Sequence, residues 1–263
     1  MHPKVSVLIP VYNAASFLEA TIRSVLNQTF SDFELILLND FSQDNSEQII
    51  SEFDDDRIRY YKNERNLGIA PTRNKLIDFS KGEYLAVLDN DDIMKPDRLE
   101  KQVRYLDEHQ DVSVVGSYFE LFDSKQKNFF RRFALLFGLV WCHPKFPTLE
   151  DALKGMVLTL STSMMRKKDL IENRIRYNGD YSPAEDYDLL KQALFKGLKL
   201  ANMPEVLTFY NLHGDNCSIK QKDQMAASTN KIQQEISVFL KKPFKKYPRW
   251  KLIVKKMRLR FFI

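Results

Sequence analysis

The chain has 263 residues, enough for one large domain or one domain with an appendage, and its 44% hydrophobic and 29% charged residues describe a chain that folds rather than a disordered one. The net charge of +5 is unevenly placed: positions 241–263 carry ten Lys and Arg and no acid, leaving 30 basic against 35 acidic residues, or −5, in the first 240. A body of that sign excludes a uniformly basic nucleic-acid binder, since it would repel a phosphate backbone.

Two distant cysteines, Cys142 and Cys217, and the lack of a charged n-region leading into an apolar h-region predict a reduced, cytosolic setting rather than secretion. The longest apolar run, Phe133 to Cys142, is ten residues, short of the roughly 20 that span a bilayer.

In chain order, short apolar segments at Val5–Pro10, Glu34–Asn39, Arg57–Tyr61, Tyr84–Asp89 and Val112–Tyr118 predict strands. They mostly lack strict alternation, as buried parallel strands do. Helices fall between them: Leu18, Ile22, Val25 and Leu26 share one face, as do Leu99, Val103 and Leu106, while Asp44 with Glu47 and Pro71 mark helix starts. Strand–helix alternation predicts an α/β fold with a mostly parallel sheet. Residues 123–157 read as an irregular connection. Strands at Leu158–Met165 and Val206–Tyr210 bracket a helix from Pro183 to about Lys196, closed by Gly197, and a polar helix runs from about Ile219 to Leu240.

The eight glycines lie no closer than fourteen residues apart. Neither a dinucleotide fingerprint nor a P-loop fits that spacing, so any phosphate is held by other means. The segment Leu88-Asp89-Asn90-Asp91-Asp92 ends an apolar strand in carboxylates, where open α/β sheets bind ligands. On an extended backbone Asp89 and Asp91 point the same way and suit a hard divalent cation; taken alone, Asp and Asn clusters after a strand are usually turn residues and helix caps. Polar strand ends at Tyr12-Asn13 and Asn39-Asp40 are expected to form one crevice with it, although each alone reads as a turn with a helix cap. Ser182 and Glu185 fit a capping box with Pro183 at the first helical position, which accounts for Glu185 and leaves Asp186 to aim into the cleft, favoured as an anion by the helix N-terminus. His213 lies in a polar turn after a late strand.

The order of VSVLIPVYN, NDFSQDNS, NLGIAPTRN, LDNDD and AEDYDL resembles the family 2 glycosyltransferases of the GT-A, Rossmann-like fold, over roughly residues 4–215. The resemblance implies a catalytic domain over 1–240, with a nucleotide-binding half (1–118), an acceptor half (119–218) and a helix (219–240). It further implies inverting transfer of a sugar from a nucleotide-diphosphate donor, usually UDP, to an acceptor hydroxyl on a saccharide or glycolipid, with Mg²⁺ or Mn²⁺. Carried over residue by residue, Val11, Tyr12 and Asn13 line the nucleotide pocket, Asp40 bonds the base, Arg73 faces the nucleotide and Asp89 lies beside ribose or donor sugar. Asp91 ligates the metal, His213 reaches the metal or diphosphate, and Asp186 is the general base. Asn39 and Phe41 depart from the usual Asp and Gly; a bulky Phe41 avoids positive φ, so the turn there is expected to differ. A scaffold without turnover and a nucleotidyltransferase are the competing readings.

Drawn as a helix, the tail 241–263 places Trp250, Ile253, Val254, Met257 and Phe261 on one face beside Lys251, Lys255 and Arg258. That pattern suits an anionic membrane surface, on the inner face of the cell membrane, as well as docking on the protein itself.

Overall fold

The run Val5–Val11 needs no polar alternation because both of its faces are covered: it forms β1, with every residue buried. In the computed structural model, residues 2–122, 139–213, 216–243 and 257–259 are described. The first half continues with α1 (Leu18–Leu26), β2 (Phe33–Asn39), α2 (Ser46–Ser51), β3 (Ile58–Lys62), α3 (Ile69–Phe79) and β4 (Tyr84–Val87). The second comprises β5 (Ile93–Met94), α4 (Arg98–Glu108), β6 (Val112–Phe122), β7 (Leu139–Trp141), α5 (Leu149–Lys154), β8 (Met164–Arg166), α6 (Lys167–Glu172), α7 (Glu185–Phe195), β9 (Lys199–Asn211), α8 (Cys217–Lys220), α9 (Lys222–Phe239) and β10 (Met257–Leu259).

The main path through the sheet runs β10-β7-β6-β8-β4-β1-β2-β3, with β9 added against β6 and β5. Strands β4, β1, β2 and β3 are parallel, and β1 at their centre is where the strand order reverses. Such a switch point opens a crevice at the carboxyl ends of the strands. The α/β class holds, while β8 runs antiparallel to both β4 and β6, so that the whole sheet is mixed.

Alternate side chains of the strands feed two apolar layers. Val5, Val7 and Ile9 pack with Leu18, Ile22 and Val25 of α1 and Leu99, Val103 and Leu106 of α4. Leu8, Ile36 and Leu38 pack on the other face with Leu76 and Ile77 of α3, Leu189 and Leu190 of α7, and Ile232 and Ile236 of α9.

Several expected elements differ. The strand read over Leu158–Met165 is a turn of 3₁₀ helix, Leu160–Thr162, followed by β8, because the hydroxyls of Thr162 and Ser163 bond back to Thr159 and Leu160 carbonyls. The connection 123–157 contains β7 and α5, the latter closed by a Thr148–Asp151 capping box; residues 123–138 lie outside the described residues. The helix drawn through the tail does not include Met257–Leu259, which pair with β7 at the sheet edge, and positions 244–256 and 260–263 lie outside the described residues. No helix among the described residues is long and apolar enough to cross a membrane.

Candidate active site

Strand β4 stops at Val87, and the carboxylates after it sit on a turn rather than an extended strand, closed by the Asp92 amide donating to the Asp89 carbonyl at 3.3 Å. Asn90 anchors that turn, donating to the Pro10 carbonyl and accepting from Thr21 Oγ1 at its own carbonyl. Asp89 and Asp91 therefore part company instead of converging on one cation.

Asp89 goes to Arg73 of α3. The Arg73 guanidinium donates to Asp89 Oδ1 at 2.7 Å and to Glu185 Oε1 at 2.9 Å, joining the end of β4 to the first residue of α7. Burial opposes its charge, and the two carboxylates more than reverse that penalty, raising its pKa. Arg73 is thus turned inward, where buried Glu185 and part-exposed Asp89 both share its charge.

The expected cap at Ser182 is not made. The helix begins at Glu185 with Ala184 as its cap, so Glu185 stands at the first position and its carboxylate is drawn to Arg73 instead. The Ser182 carbonyl accepts from Gln224 and Ser228 of α9. Asp186, next along, keeps partial exposure and accepts the Tyr187 amide at 2.7 Å. The helix N-terminus does not hold it ionised as expected: burial, then the Glu185 charge, push its carboxyl up to about 7, against the opposing pull of Arg73.

Asp91 goes to the other side of the crevice. Its Oδ2 lies 2.8 Å from His213 Nε2, with Asn216 Nδ2 at 3.4 Å. His213 is stacked on Phe17, ring centroids 4.5 Å apart, and its amide donates to Asn216 Oδ1. Burial, with Asp89 adding, pushes the Asp91 carboxyl upward, partly offset by His213. Among the described residues no group of three or more His, Cys, Asp or Glu closes round a cation. One carboxylate and one imidazole suit an ion that takes its remaining ligands from phosphate oxygens and water, so the donor set fits Mg²⁺ or Mn²⁺.

Asp92, at the floor, was absent from the sequence-predicted set. It accepts from Ser161 Oγ and from the Asn211 amide at 2.9 Å, and Ser161 Oγ also accepts the Asp89 amide. Burial and its neighbours Asp91 and Asp89 push its carboxyl well up. Beneath it, fully buried Arg98 donates to the carbonyls of Val87, Ser161 and Ser163 and to Thr208 Oγ1. Burial pushes its guanidinium down to about 9, still charged at neutral pH. A signal was legible: Arg98 and Gln102 fall in the apolar stripe of α4 with Leu99, Val103 and Leu106, where a solvated cation does not belong.

The nucleotide-pocket residues divide. Tyr12 and Asn13 are exposed at the end of β1, whereas the Val11 side chain is core and its carbonyl accepts the Asp40 amide. Asp40 is buried, bonded by Asn63 Nδ2 and the amides of Leu67 and Gly68, so it ties down the loop into α3 rather than reaching a base. Phe41 takes positive φ after all, at 65°. A surface cavity of about 340 Å³ beside Lys4, Asp32 and Gly82 lies at the opposite end of the strands and shares no residue with this cluster.

The family model described as Glycosyl transferase family 2 matches residues 6–173. The chain belongs to glycosyl transferase family 2. It is 32% identical to an uncharacterized glycosyltransferase of Haemophilus influenzae over 247 residues, 91% of this chain and 75% of that protein. It is 28% identical to the Escherichia coli UDP-Glc:alpha-D-GlcNAc-diphosphoundecaprenol beta-1,3-glucosyltransferase WfaP, over 87% of this chain and 85% of that one. Its fold is that of Staphylococcus aureus TarS, solved with UDP-GlcNAc, with a TM-score of 0.68 at 19% identity over 89% of this chain and 66% of TarS 1–349. It is also that of the mannosyltransferase PcManGT of Pyrobaculum calidifontis, solved with GDP-Man and Mn²⁺, with a TM-score of 0.64 at 16% identity over 88% of this chain and 63% of the other. This glycosyltransferase therefore spans just under two thirds of those two solved chains.

Removing the buried cation beneath the site would take a donor from five buried acceptors: the carbonyls of Val87, Ser161 and Ser163, Thr208 Oγ1 and Gln102 Oε1. Arg98→Met is expected to cost about 3–5 kcal/mol, measured by urea unfolding; a loss under about 1 kcal/mol would show that Arg98 does not hold this floor together.

Proposed function

We propose that this enzyme transfers a sugar, with inversion, from a nucleotide-diphosphate sugar, UDP-sugars among its donors, to an acceptor hydroxyl of a saccharide or glycolipid in cell-surface polysaccharide synthesis. The observation that carries the reading is Asp186: a partly exposed carboxyl pushed up to about 7, beside Glu185, which Arg73 ties to Asp89, two residues from the His213-paired Asp91. A base works best with a pKa near the working pH. UDP and the lipid-linked acceptor are supported by WfaP, which is named for both.

In this mechanism Asp186 accepts the proton of the acceptor hydroxyl as that oxygen attacks the anomeric carbon. The bond from that carbon to the diphosphate breaks on the opposite face, so configuration inverts with no covalent intermediate. Arg73 holds Asp89 and Glu185 in place and so fixes the first turn of α7, which carries Asp186. Asp91, with His213, would hold Mg²⁺ or Mn²⁺, whose charge stabilises the departing diphosphate. The ten cations of 241–263 would attract an anionic membrane at about 1 kcal/mol each near the surface, keeping the site beside a lipid-linked acceptor on the cytoplasmic face. No nucleic acid is expected as a partner.

Asp186→Asn is expected to abolish transfer while UDP-sugar still binds; turnover within a few-fold of the parent would overturn the assignment. In the parent, kcat/KM should rise about tenfold per pH unit below 7 and level above it. Stability runs the other way: between the ordinary carboxylate range and about 7 the native state keeps a proton that the unfolded chain has released, so this group's contribution falls as pH rises through that window.

Asp91→Ala is expected to remove the Mn²⁺ dependence of UDP binding in calorimetry; equal affinity with and without Mn²⁺ in the parent would remove the metal role. Replacing Lys245, Lys246, Lys251, Lys255 and Lys256 with Gln should lower sedimentation with anionic vesicles and spare transfer to a soluble acceptor, and unchanged sedimentation would rule out the tail as a membrane contact.

A further inference from the structure

Two neighbouring strand ends hold backbone conformations that side-chain-bearing residues avoid: φ is 48° at Asn13 and 65° at Phe41. Asparagine visits this region readily, but a phenylalanine there brings Cβ close to the following carbonyl. Strain of this kind persists where the surroundings over-determine it, and it concentrates at binding sites.

What the strained turn achieves is exposure. Among the described residues up to 122, the exposed large hydrophobic side chains are Tyr12, at 47%, and Phe41, at 41%. Val11 pairs with Asn39 in the sheet and the Asp40 amide extends that pairing, so the two rings follow adjacent strands on the rim of the crevice. Cross-bonds lock the rim: the Asn13 amide donates to Ser42 Oγ at 3.0 Å, the Gln43 amide to Asn13 Oδ1 at 2.8 Å, and the Ala14 and Ala15 amides to Ser46 and Asp44.

The polar groups that end β2 face the other way. Both Asp40 oxygens serve the loop of Asn63, Leu67 and Gly68, and fully buried Asn39 is held between the Ser42 amide and the Tyr60 hydroxyl. Asn39 and Asp40 are thus engaged within the protein, while the Tyr12 and Phe41 rings stay exposed.

We propose that Phe41 is a specificity-determining residue: with Tyr12 it forms a stacking platform that grips the donor's nucleobase by its face, so that the site accepts nucleoside diphosphates of more than one base. The inference rests on reading this crevice as the donor-nucleotide site. Every base has a π-face, so stacking is tolerant of base identity, whereas hydrogen bonds to a base edge reject a wrong partner by several orders of magnitude.

The test is calorimetric titration of the full chain, with Mn²⁺, against UDP, GDP, ADP and inorganic pyrophosphate, for the parent, Phe41→Gly and Phe41→Leu. The glycine variant relieves the strained φ and should melt no lower than the parent. The parent is expected to bind all three nucleotides within about tenfold of one another. Both variants should weaken every nucleotide by about tenfold or more, which is the scale of one lost stacking contact, and leave pyrophosphate unchanged. A parent that prefers one base by more than a hundredfold, or variants that bind like the parent, would overturn the proposal while leaving the donor site standing. Failure of every nucleotide to bind would overturn the donor-site reading and this inference with it.

Discussion

Five carboxylates, Asp89, Asp91, Asp92, Glu185 and Asp186, crowd one end of the sheet, and the placement of charge against them governs the rest of the site. Two buried guanidiniums make the crowding tolerable. Arg73 spans Asp89 and Glu185, while Arg98 lies beneath Asp92 and binds the carbonyls around it. Mutual repulsion and burial then leave Asp186 near neutrality in pKa while Arg73 secures its neighbours. The same environment that costs folding stability would suit Asp186 to the proton-accepting role proposed for it, as is common where pKa values are tuned by surroundings.

The bracing reaches further out along the chain. Asp92 bonds the Asn211 amide at the end of β9, two residues before His213, so the element carrying the imidazole is referenced to the turn carrying Asp91. Helix α9, beyond the span of the family match, supports α7: Glu235 pairs with Lys191, accepts from Tyr181, and shares the apolar layer through Ile232 and Ile236. Helix α7 is therefore held from both sides, by Arg73 at its first turn and by α9 along its length. A site built from strand ends and a braced helix is more rigid than one built on loops alone.

The strands of the first half were legible because buried parallel strands write themselves as continuous apolar runs, and β1, β2 and β4 start within a residue of where the pattern put them. The second half was less so: β8 is three residues long and antiparallel, and nothing in Met164–Arg166 tells it apart from a turn. Candidate residues divide in the same way. Asp91 and His213 meet and Asp186 follows the Arg73-bound Glu185, while Asp40 and Arg73 are bonded within the protein by nearby amides and carboxylates. Glu185 was explained away by a cap that the helix start did not allow.

Local chemistry along the chain determined which residue types stand at the strand ends, the α/β alternation, the family and the uneven charge of body and tail, since these depend on neighbours a few positions apart. The tertiary structure alone decided which carboxylate meets which cation, that Asp186 is poised near neutrality and that Phe41 is forced outward. The carboxylate–cation pairings and the turn that exposes Phe41 are set by groups 16 to 122 residues distant in the chain, the shift at Asp186 comes from burial beside its neighbour Glu185, and burial gives these charges a strength that no spacing along the sequence can convey.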